Sequence, residues 1–126
     1  MTSDPDRLPR IGASARELGV RVPKDIAPDA NGFVEPRSGG MSTACASLWN
    51  LPHHRRPRRL GHGSTGRDED HVFMIDEGLI SEPLVPRADP RAPDLHTFVE
   101  PAQRMSLTEY VSCLQRTRSL WQAGEP

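Results

Sequence analysis

The chain has 126 residues, with 16 basic and 17 acidic side chains and a formal net charge of −1. Such a length folds as one unit and buries roughly 65–70% of its unfolded surface, and the near-zero charge argues against a general nucleic-acid or membrane-surface binder. Only 35% of residues are apolar, with 13 prolines and 10 glycines, so short elements and much loop are expected around a core of leucine, valine and two tryptophans.

No segment approaches 18 apolar residues, and residues 1–6 have neither a basic start nor an apolar run. A cytoplasmic protein is expected, without signal peptide or membrane span, unless a dedicated secretion system delivers it elsewhere. Cys45 and Cys113 are far apart and are expected to stay reduced, buried or partly buried.

Residues 1–13 read as a loose polar tail and 14–126 as a single domain. Residues 14–17 carry a capping pattern for one helical turn before Gly19. Residues 20–22 suit a short strand stopped by Pro23, and Asn31-Gly32 is a turn that leads into Phe33-Val34. Gly39-Gly40 allows a sharp bend before Met41-Ser42, and residues 44–49 suit a short helix ended by Pro52. Residues 53–70 form a long arginine-rich loop.

Residues 71–76 are nearly continuous in apolar character and predict a buried central strand. Short strands are expected at 78–80 and 84–85, and a last strand at 96–100. Ser106 with Glu109 forms a capping box, and Met105 with Tyr110 a hydrophobic staple, for a helix whose apolar positions run to Trp121. The fold class is therefore α+β: a small mixed or antiparallel sheet of short strands, a C-terminal helix and long loops.

Five arginines and no acid lie between positions 53 and 67, whereas positions 68–100 hold nine acids and two arginines. Two oppositely charged faces that attract each other explain this pattern; arginines that bind a phosphorylated ligand explain it as well. Aromatic interleaving and a recognition helix are both missing from the basic stretch, so nucleic acid is not the expected partner. The His and Cys spacings fit no metal site.

Strand alternation puts His96, Phe98 and Glu100 on one face and Thr97 and Val99 on the other. A histidine, an aromatic ring and a carboxylate on one surface suit a nucleotide sugar and its base. The same face is equally compatible with a buried Phe98 between solvated neighbours.

Gly39-Gly40-x-Ser42, Asp70-x-Val72-Phe73-x-Ile75, Asp89, His96-x-x-Val99-x-Pro101-Ala102-x-x-Met105 and a helix ending near Trp121 together resemble the type VI secretion exported toxin family called Tse-two. The resemblance spans residues 20–121 at sparse positions. It implies an ADP-ribosyltransferase-like α/β fold, an NAD-dependent toxic activity inside cells, a role in interbacterial competition, and a cognate immunity protein. Ser42 and His96 fall on functionally implicated family positions. Met41 stands where the family toxin has threonine, Glu100 where it has a non-acidic residue, and the Gln/Glu-x-Glu signature of arginine-directed transferases is absent.

On this reading Ser42 and His96 are catalytic candidates, and the strand alternation, not the resemblance, adds Glu100 to them. Arg55, Arg56 or Arg59 meets the NAD diphosphate, and Phe98 is a platform for a base. The alternatives are a non-catalytic immunity or antitoxin-type binding protein, and an RNA-directed toxin with His96 as general acid or base.

Overall fold

The computed structural model describes residues 8–12 and 18–125. The helix start expected at 14–17 and positions 1–7 and 13 of the expected tail lie outside the described residues. Numbered in chain order, β1 (Ile11–Gly12) pairs in parallel with β2 (Leu18–Gly19), and β3 (Phe33–Val34) pairs antiparallel with β8 (Met105–Ser106). The strands β4 (Met41–Ala44), β6 (Leu84–Ala88) and β7 (His96–Pro101) form an antiparallel sheet in the order β4-β7-β6. A ribbon of β5 (Phe73–Met74) and β9 (Gln122–Ala123) closes one side. With α1 (Leu107–Gln115) the architecture is α+β, built of small, mostly antiparallel sheets and one C-terminal α-helix.

The helix forms as its sequence dictates. The Ser106 side chain accepts the Glu109 amide at 3.1 Å, satisfying one of the helix's free N-terminal donors. Met105 and Tyr110, on either side of the cap, are both in the core. The α-helix ends at Gln115, earlier than the apolar spacing predicts, and a 3-10 turn at Arg118–Leu120 carries Trp121 into the core separately. Pro9 and Ile11, expected in a loose tail, are buried, and the Gln115 side-chain amide donates to the Ile11 carbonyl at 3.1 Å.

Tyr110 is wholly buried, and its hydroxyl bonds two main-chain groups at once. It accepts the Met41 amide at 3.0 Å and donates to the Val99 carbonyl, groups that face each other across the β4–β7 ladder. The helix is thereby fastened to the centre of the sheet by a polar bond inside an apolar core. Gly39 and Gly40 serve the same junction. A Cβ on Gly40 would lie 2.9 Å from the Val99 carbonyl carbon, and Gly39, at φ +104°, bridges Ile26 and packs on the Asp25 main chain. The paired glycines thus accommodate neighbouring strands of the chain itself, where the sequence left open a close approach by a ligand.

Several local expectations are corrected. Residues 71–76 are no central strand: only Phe73–Met74 pairs, with the short β9, and Met74 is exposed. An apolar run states that a segment is buried somewhere but not which strand will pair with it. Residues 77–79 make a 3-10 turn because the Asp76 carboxylate accepts the Gly78 amide at 2.9 Å. Residues 41–44 are strand and the helical turn is confined to Leu48–Asn50, capped by Ser47. The strand expected at 20–22 is displaced to Leu18–Gly19, since Asp25 draws Arg21 into a turn through its amide and its guanidinium.

Tyr110→Phe should lower unfolding stability by about 1–3 kcal/mol, because a buried amide and a buried carbonyl each lose their partner; urea denaturation measures it. Burial raises the Tyr110 hydroxyl well above its ordinary value of 10.0. The folded chain therefore holds this proton more tightly than the unfolded one. The corresponding stability is complete below that pH and is lost as the pH rises beyond it, a dependence that Tyr110→Phe should abolish. Gly40→Ala should cost about 1–3 kcal/mol by prising β4 from β7, read as a lower thermal midpoint.

Candidate functional site

In an antiparallel pair, directly opposed residues share a face. The register Met41↔Val99, Thr43↔Thr97 and Pro86↔Val99 therefore puts Met41, Thr43, Thr97, Val99 and Pro86 on one face of the three-stranded sheet. Ser42, Ala44, Arg87, His96, Phe98 and Glu100 take the other. The first face is half covered by core, at Met41 and Val99. Beyond Thr43 and Thr97 it opens into a cavity of about 470 Å³, within the size range of small-molecule sites.

The cavity runs along the free edge of β4, and Ser42, Thr43, Ala44 and Cys45 all line it. Consecutive residues line one cavity because it meets main chain as well as side chains. The Cys45 amide donates to the Leu95 carbonyl at 2.9 Å, so 45, 43 and 41 turn their main-chain groups toward β7. By alternation the amide and carbonyl of Ser42 and Ala44 point outward from the sheet. Facing them are residues 71–75, with Trp121 and Gly124 beside them and Arg55 and Glu77 adding charge.

The polar lining is partly prepaired. The Thr43 hydroxyl donates to the Thr97 carbonyl at 2.8 Å, and Cys45 Sγ lies 2.9 Å from Thr97 Oγ1. Arg55 differs: its half-buried guanidinium has no carboxylate within ion-pair distance among the described residues. Burial, then Arg21, lowers its pKa, while Asp25 and Asp70 act on it only at longer range. An arginine remains cationic under such a shift, so Arg55 brings a positive charge to a lining that also holds the Glu77 carboxylate.

The seven residues singled out from sequence do not converge. Ser42 and His96 do share a face of neighbouring strands, with Ser42 opposite Phe98 and His96 opposite Ala44. Phe98 meets the His96 ring edge-on, with centroids 4.7 Å apart. Glu100 is 3% exposed and already engaged, accepting Arg87 Nε at 2.6 Å and the Arg37 amide at 3.2 Å. Of the three arginines, only Arg55 lines the cavity. Arg56 is buried inside its own loop, bonded to His53 Nδ1 at 2.8 Å and lying over the Trp49 ring. Arg59 is bound to the Asp68 carbonyl and to Glu125.

Three arginines of the loop expected to be exposed and basic are thus paired with acids, two of them just after the basic run and one near the C-terminus. Arg58 approaches Asp68, Arg67 pairs with Glu69, and Arg59 reaches Glu125. Both cysteines are free, Cys113 buried and Cys45 partly so. Among the described residues no group of three or more His, Cys, Asp or Glu is placed to hold a metal, and no helix is long and apolar enough to cross a membrane.

Sequence reasoning missed Thr43, Thr97, Phe73, Glu77 and Trp121 as lining residues, and no local pattern marks them, since they come together only when the ribbon closes on the sheet. The chain matches no protein-family model, and neither the curated proteins nor the solved structures contain a significant match.

The ribbon wall depends on Glu125, which accepts the Val72 amide at 3.1 Å beside Arg59 and His71. Burial alone would raise its pKa, but the Arg59 bond, the Val72 amide and the nearby charges hold it below its ordinary 4.5. This contribution is present above that value and is lost as the pH falls below it. The protection factors of the Val72 and Gly124 amides, exchange rates corrected for the intrinsic effect of pH, should therefore fall on acidification, and Glu125→Gln should show the lower protection already at neutral pH.

Proposed function

We propose that this chain is a toxin domain acting on NAD inside cells, with the nucleotide bound in the cavity along β4. The observation that carries the reading is the outer edge of β4 beside a half-buried Arg55 that has no carboxylate within ion-pair distance among the described residues. An outward amide and carbonyl on one strand edge complement a primary carboxamide, which offers one acceptor and two donors, as nicotinamide does. Arginine's planar fork complements a diphosphate. The resemblance carried by Gly39-Gly40-x-Ser42 and the segment from His96 to Met105 supports the same ligand and brings with it an ADP-ribosyltransferase-like fold, a secretion route and a cognate immunity protein.

In this mechanism the main chain of Ser42 and Ala44 holds the carboxamide, Phe73 lies against the pyridine ring, and Arg55 binds the diphosphate. The glycosidic C–N bond breaks with its electron pair leaving on neutral nicotinamide. The ribosyl oxocarbenium left behind is met by Glu77, the one carboxylate among the described lining residues, and is captured by water or by an acceptor group. Groups aimed at charge that develops in the transition state contribute most to such a reaction. In the arginine-rich loop Arg58, Arg59 and Arg67 are already paired with acids of the chain itself, which favours this reading over RNA or an acidic protein surface as the target.

Incubating the purified protein with NAD and following nicotinamide by chromatography tests the proposal. Release is expected. Arg55→Ala should lower kcat/KM about tenfold or more, chiefly through KM, because the diphosphate is bound in ground and transition states alike. Glu77→Gln should lower kcat on the order of 10²–10³-fold. A folded protein that neither binds NAD in calorimetry nor releases nicotinamide would sink the reading.

A further inference from the structure

The face of the sheet away from the cavity carries a separate polar cluster. His96, 30% exposed, has Nδ1 3.0 Å from Oδ2 of Asp89, whose side chain is only 7% exposed. Asp89 is itself held. Its Oδ1 accepts the Arg91 amide at 2.9 Å and Arg91 Nε at 3.4 Å, and its own amide donates to the His96 carbonyl at 2.9 Å. The two residues are therefore locked by main chain and side chain where β6 ends and β7 begins.

A carboxylate that accepts several donors stays ionised. The Arg91 amide first, and the His96 bond second, hold Asp89 below the ordinary carboxylate range. An ionised carboxylate only accepts, so its contact with Nδ1 requires the proton on Nδ1 and leaves the lone pair of neutral His96 on Nε2. Nε2 has no hydrogen-bond partner among the described residues. The Phe98 ring, at 79° to the imidazole, restricts its remaining rotation. Exposed Ser42 stands one diagonal step away on the same face. The other charged groups around His96 are Arg91 on the turn and the mutually paired Arg87 and Glu100 on the strands.

We propose that this face is a general-base centre separate from the cavity, with His96 accepting a proton at Nε2 from a hydroxyl group or water, and Asp89 as the positioning residue. One proton passes from the hydroxyl oxygen to Nε2. The oxygen keeps the electron pair and becomes the nucleophile, and the resulting imidazolium is balanced by Asp89. The centre does not depend on NAD being the cavity's ligand.

Nitrogen-15 NMR of the full chain at a pH where His96 is neutral should show the Nδ1–H tautomer, and Asp89→Ala should move the proton to Nε2, the form free imidazole side chains favour. Hydrolysis of p-nitrophenyl acetate, with water as the hydroxyl, should fall about tenfold in His96→Ala and partly in Asp89→Asn. An Nε2–H tautomer in the wild type, which needs no variant to read, overturns the positioning role. Equal ester hydrolysis by the wild type and a folded His96→Ala protein overturns the general base. Failure to release nicotinamide bears on the cavity and leaves both of these read-outs intact.

Discussion

The hydroxyl of Tyr110 holds this fold together. One buried group satisfies the Met41 amide and the Val99 carbonyl, so the helix, the edge strand β4 and the central strand β7 cannot move independently. Such a bond is strong inside a core because water cannot replace it. The arrangement also demands close approach, which is why Gly40 stands where β4 meets Val99. The Ser106 N-cap sets where the helix begins, and so where along it Tyr110 falls.

Once β4 and β7 are joined, the sheet has two faces with different chemistry. Helix and core cover one end of the inner face and stop short of Thr43 and Thr97, and the β5–β9 ribbon roofs the remainder into a cavity. The outer face keeps a half-exposed histidine on a buried carboxylate. Ser42 belongs to both, with its side chain by register on the outer face and its main chain on the edge that borders the cavity. Charge is distributed in the same way: Arg58 and Arg67 are drawn into local pairs, Arg59 reaches the C-terminal Glu125, and Arg55 is left for the cavity.

Much of this was legible before folding. The Ser106 cap, the core positions of Met105 and Tyr110, the Asn31-Gly32 turn and a strand over His96 follow from short-range chemistry and are present. That strand runs on to Pro101 and, unlike the last strand expected, is followed by β8 and β9. The alternation that separates His96, Phe98 and Glu100 from Thr97 and Val99 holds as well, because the side-chain period of a strand is a property of the backbone. Residues 71–76 show where such reading ends. Their apolar character was real, but a partner strand is chosen by the whole chain, and the one that came was the short C-terminal β9. The arginines show the same limit: identical side chains within five positions ended buried in a loop, paired to acids, or lining a cavity.

The sequence by itself determined the α+β class, the start of the helix and the face pattern of the strand over His96. All of these depend on propensity and spacing within a few residues of one another. Tertiary structure alone decided that Tyr110 would stitch the sheet, that Asp89 would hold His96, that Glu100 would be spent on Arg87, and that the cavity would open on the Thr43–Thr97 face. Those outcomes require residues up to 69 positions apart to meet, and no local rule specifies which of many chemically equivalent groups will do so.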